Sequence, residues 1–212
     1  MNDQFAKALL QMAEEHPKEV ERMLARGLVK IGKIDAVRGQ LNVAVWLWFK
    51  NAEITAVHTL TGAAFGILAD LTHHKTRTRP VPFDDQHVPE YLKPFKRDLR
   101  NLMNEAADFL KHARKDPDEI HELNPAWTEQ YLFNAIKAYT LLNDGNCDHE
   151  LMNLFVIHFA IHNPGMFAAG FTPRFNKRWN LEEVRQLSRA AFFDNFGGPL
   201  RHEPPRGAAI SN

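Results

Sequence analysis

The chain has 212 residues, 26 Lys+Arg against 26 Asp+Glu, 44% hydrophobic residues and a single cysteine. That length suits one domain, and the apolar and aromatic content excludes a wholly disordered chain. Zero formal charge excludes a general polyanion binder; Cys147 alone excludes an internal disulfide framework and points to a reducing, cytoplasmic setting.

Patterned segments read almost throughout at helical period, and no run of alternating β-branched residues suggests a strand. Phe5, Leu9 and Met12 fit one stripe of a first short helix, and Pro17 opens a second at a first-turn position. These form an N-terminal helical extension over residues 1–32 that lacks the basic start and apolar run of a signal peptide. A third helix runs from about Ile34 to Lys50, with Val37, Leu41, Val45 and Trp48 on its inner face. Trp46 and Trp48 are two apart, so only one can face that core; the other meets a subunit or covers a pocket.

The fourth helix covers about Ile54 to His74, and its small residues Gly62, Ala63, Ala64 and Gly66 would admit a neighbour closely. Residues 75–88 hold two prolines and no period, so they form a loop. A fifth helix starts near Pro89 or Pro94 and reaches about Ala113. Asn124-Pro125 caps a sixth through Leu142, Asp148 caps a seventh to about His162, and Asn180 with Glu183 marks an eighth to about Phe193. The expected architecture is all-α: one bundle of about eight helices with its core at 33–196 and a disordered tail at 197–212. No apolar stretch approaches the roughly 20 residues that span a bilayer, so no membrane partner is expected.

Charge is divided along the chain. Residues 75–115 carry 10 basic and 6 acidic side chains, and residues 116–150 carry 1 and 8. Such neighbouring blocks attract each other, within the chain or between subunits.

Eleven histidines raise a metal or acid–base hypothesis, because neutral imidazole ligates transition metals and titrates near neutrality. His158 and His162 are four apart and share a helix face; Asp108 and His112 make a second such pair, with Asn104 one turn earlier. His58 lies at the edge of an inner face. Convergence of His58, His112 and His162 (or His158) with Asp108 would make an open site for a divalent transition metal. Bonded interior and helix-end histidines explain the same spacings without a ligand. There is no H-E-x-x-H, P-loop, dinucleotide fingerprint or G-x-S-x-G elbow.

Ala56-Val57-His58-Thr59-Leu60-Thr61-Gly62-Ala63-Ala64 and the segment Asn104 to Asp118 together resemble a group of uncharacterised bacterial helical proteins. That group pairs a His-Thr-Leu-Ala helix start with a later Phe-Lys-His-Ala…Asp-Pro-Asp segment. The resemblance directs attention to His58, Lys111, His112, Asp116 and Asp118, and then to Asn104 and His162. The helix–turn–helix at 33–74 is distantly similar to HEPN-type domains, which are helical, dimeric and act on RNA or in toxin–antitoxin and defence systems. Arg114 and His121 match the spacing of their nuclease motif, but Pro117 between them disrupts the helix that motif needs.

The expected function is a small-molecule or metal site in a helical bundle, built from His58, Asn104, Asp108, Lys111, His112, Asp116 and Asp118. The alternatives are a HEPN-like dimer that binds RNA or a protein, and an oligomerisation scaffold without catalysis. A homodimer is the expected assembly, and nucleic acid is the less favoured partner.

Overall fold

The computed structural model describes residues 30–76, 94, 96–110, 118, 120–147, 149–166 and 180–201, with scattered positions between 4 and 22. Two compact units separate, one containing residues 1–32 and the other running from Lys33. In the first, Pro17 is the first helical residue after non-helical His16, where its missing N–H costs nothing.

The second unit is all-α, without a strand among the described residues. Its helices are α1 (Lys33–Phe49), α2 (Ile54–Thr76), α3 (Lys96–Phe109), α4 (Pro125–Leu142), α5 (Glu150–His162), α6 (Leu181–Arg185) and α7 (Arg189–Phe196). Short 3₁₀ turns lie at Pro164–Met166 and Gly198–Arg201.

Helix α1 buries Val37, Leu41, Ala44, Val45, Trp48 and Phe49, a stripe at the spacing of one helix face. Asn51 ends it at φ 52°, in the left-handed region that asparagine tolerates. There Ala52 N–H donates to Leu47 O at 3.0 Å and Asn51 N–H to Trp48 O at 3.2 Å, the paired bonds of a Schellman motif. The chain reverses at once into α2, which packs on α1 and α4. By length and composition α2 could cross a membrane. Its buried residues Val57, His58, Thr61, Gly62, Ala64, Phe65 and Leu68 instead form the inner stripe of a core helix.

Helix α4 is the central element, with Thr128 and the whole run Gln130–Ile136 buried, then Ala138 and Tyr139. Asn124 caps it by accepting from Ala126 N–H at 2.9 Å, with Pro125 in the first turn. Asp144 (φ 53°) and Gly145 (φ 80°) turn the chain back toward α5. The α5 N-cap is His149, which makes no side-chain capping bond; Asp148, the expected cap, lies outside the described residues. An aromatic core joins α1, α5 and α7: Trp48 meets Phe155 edge-on at 4.9 Å, and Phe49 stacks on Phe193 at 4.8 Å.

Two expectations change. The eighth helix is interrupted: α6 stops at Arg185, and Ser188 starts α7 by accepting from Ala191 N–H at 3.2 Å. Serine's hydroxyl offers the backbone a helix start where periodicity suggests continuity. The expected tail at 197–212 begins with the Gly198–Arg201 turn; residues 202–212 lie outside the described residues. Between the two charge blocks, Lys75 Nζ stands 3.5 Å from Asp144 Oδ1, an exposed pair that contributes little.

Candidate functional site

The first two turns of α4 send polar side chains in two directions. Thr128 and Glu129 are adjacent, so they point about 100° apart around the helix. Thr128 faces α2, where its Oγ1 lies 3.0 Å from His58 Nδ1, both groups fully buried. One turn on, the Tyr131 ring lies 5.4 Å from the His58 ring. Burial and then the charge of Asp108 push the Tyr131 phenol up to about 12, so it remains a hydroxyl donor at neutral pH. Gly62 lies beside this cluster, where a Cβ would make ordinary contacts with Ala107 Cβ at 3.5 Å and the Tyr131 ring at 3.8 Å.

His58 and Asp108 therefore share Tyr131 as a neighbour, a connection that spacing alone did not reveal. Asn104 and Asp108 are exposed on α3, and Asp118 is exposed in a turn. Lys111, His112 and Asp116 lie outside the described residues, as does Arg114 of the HEPN-type spacing. His121 stacks on Phe109 at 5.2 Å.

A second group forms on the other side of α4. Its Phe133 stacks on Phe159 of α5 at 4.3 Å, which sets Glu129, one turn earlier, level with the α5 C-terminus and His162. His162 Nδ1 lies 2.9 Å from His158 O, and its Nε2 lies 3.2 Å from Arg185 O. Arg185 Nε donates to Ile161 O at 3.1 Å, so both cation-forming side chains satisfy carbonyls at the end of α5.

His158 is 3% exposed. The Trp48 and Phe192 rings meet it edge-on at 4.9 and 4.8 Å, while His162 stacks on it at 4.0 Å. Neither ring nitrogen has a hydrogen-bond partner among the described residues. Burial, with the positive charges of His162 and Arg189 adding to it, lowers its pKa to about 3, so the ring is neutral. Trp48 Nε1 is also buried without a partner among them. Over the Trp48 ring, at 4.9 Å, sits the Arg189 guanidinium carbon. Burial raises the pKa of Glu129, while Arg189 and His162 act to lower it.

Of the expected metal ligands His58, His112 and His162, His112 lies outside the described residues. No group of three His, Cys, Asp or Glu side chains among the described residues is placed to hold an ion. A metal needs a nitrogen lone pair, yet both His162 nitrogens face carbonyl oxygens, and His58 is bonded to Thr128 on another face of α4.

Sequence reasoning passed over Thr128, Glu129, Tyr131 and Arg189. One signal was available: Glu129 is the lone acid in the otherwise apolar and neutral first half of α4. The chain matches no family model, no curated protein and no solved structure at a significant level.

Proposed function

We propose that this protein binds a small polar molecule at the end of the core where Glu129, His158, His162 and Arg189 meet. The observation that carries this reading is the buried His158, whose two ring nitrogens have no partner among the described residues. Leaving a buried polar group unbonded costs about 1–3 kcal/mol. A ligand that supplies the missing donor and acceptor recovers it.

The surroundings suit such a ligand. Trp48 Nε1 offers a further unused donor, and the aromatic rings of Trp48 and Phe192 form an apolar wall. Arg189 and Glu129 supply one charge of each sign. His162, partly exposed and stacked on His158, borders the site on its solvent side.

The test is a fragment titration of the full chain labelled with ¹³C at its histidine rings, with His158→Phe and His162→Gln used to assign the signals. Saturable shifts at His158, His162 and the Trp48 indole N–H, lost in His158→Phe, are expected. If no fragment of any charge type moves these signals, the reading fails.

A further inference from the structure

Trp48 joins the two most unusual side chains at this end of the core. The Arg189 guanidinium carbon lies 4.9 Å from the centre of its ring, and the His158 ring meets it edge-on at 4.9 Å. Phe192, three residues after Arg189 on α7, meets His158 edge-on at 4.8 Å. A cation and a buried imidazole therefore border one indole. That indole carries a buried Nε1–H of its own, without a partner among the described residues.

The geometry of α7 gathers positive charge here. Arg189 is the first residue of that helix, where the dipole favours an anion and disfavours a cation. Contact with the indole face fixes the plane of the guanidinium, and its N–H donors point outward within that plane. Lys50 Nζ stands 5.1 Å from the ring of Phe193, which is four residues from Arg189 and so on the same helix face. Two cations thus lie over neighbouring aromatic rings.

The hydrogen-bonding inventory points the same way. Trp48 Nε1 and the guanidinium only donate, while a neutral imidazole offers one donor and one acceptor. Donors outnumber acceptors, so the fitting ligand is rich in acceptor oxygens. A carboxylate is planar, carries one charge and matches the two-pronged guanidinium. A phosphate dianion would bring a second charge against the rings of Trp48 and Phe192, where losing water is costly.

We propose that the ligand is a small aliphatic monocarboxylate, its oxygens taken by the Arg189 guanidinium and the buried N–H groups of Trp48 and His158. This rests on the reading above that the end of the core is a ligand site.

The experiment titrates the full chain, labelled as above, with propionate, its neutral isostere propionamide, and inorganic phosphate. Propionate is expected to shift the His158 ring and Trp48 indole signals and to bind about tenfold more tightly than the other two, the worth of one charge-assisted hydrogen bond. Arg189→Gln should weaken propionate about tenfold and leave propionamide unchanged, a split that a merely structural role would not produce. Thermal unfolding verifies that the variant is folded. Propionamide or phosphate binding as tightly as propionate would overturn the carboxylate, as would Arg189→Gln weakening propionate and propionamide alike. So would silence from propionate while another fragment moves His158, an outcome that leaves the ligand site itself standing. Silence from every fragment overturns both.

Discussion

His158 concentrates the most unusual chemistry of this chain in one ring. A phenyl group fits the same aromatic surroundings without the two unbonded nitrogens, so His158→Phe is expected to raise stability by about 1 kcal/mol at pH 7. Chemical denaturation measures it; a loss above about 2 kcal/mol would mean that the imidazole is well bonded. The pH dependence carries a sign. The folded pKa of about 3 lies below the ordinary 6.5, so the unfolded chain binds the extra proton between these values. Stability is flat above pH 6.5 and falls on acidification by about 1.4 kcal/mol per pH unit from this one group, and His158→Phe removes that slope. Glu129 works in the opposite direction. Its pKa is raised, so the native state loses stability as pH rises from 4.5 through the folded value. Glu129→Gln should therefore become progressively more stable than the parent across that window and level off above it, as thermal melts against pH would show.

At the scale of elements, helix ends and helix contacts respond differently to substitution. Asn124→Ala removes the bond to Ala126 N–H and should cost about 1 kcal/mol. Two glycines differ in what a side chain would meet. Gly66 has open space where a Cβ would stand, so Gly66→Ala should stabilise α2 by about 1 kcal/mol through helix propensity. A Cβ at Gly197 would lie 2.5 Å from Phe193 O and 2.6 Å from its buried ring; Gly197→Ala should cost about 1–3 kcal/mol. Thermal unfolding of the three variants checks these signs together. Most helix positions and the caps at Asn124 and Asn180 were legible in sequence because period and capping chemistry are local, whereas the N-cap of α5 is His149 and not the expected Asp148. The α6–α7 break was not legible, because Ser188 overrides an apolar pattern that continues past it.

For the whole molecule, the aromatic core is what fastens α1 to α5 and α7. Trp48 touches Phe49, Phe155 and His158 while 1% exposed, so Trp48→Ala should cost about 3–5 kcal/mol. The same variant should release the Arg189 contact and lose ligand binding in the fragment titration. Of the candidate site, His58 and Asp108 were visible as residue types on helix faces. That Tyr131 lies between their influences was not, since it comes from a third helix. The contact of Arg189 with Trp48 was likewise invisible, since the two are far apart in the chain and brought near only by packing.

By itself the sequence determined the all-α class, most helix limits, the caps at Asn124 and Asn180, and the inner face of α1. These follow from repeat spacing and from bonds within a few residues. Tertiary structure alone decided what three of the histidines do: His58 bonds Thr128, His162 meets two carbonyls, and His158 is buried with no partner among the described residues. Periodicity assigns a side chain to a face of its helix. A hydrogen bond requires another atom within about 3 Å, and that depends on which helices pack together and in what register.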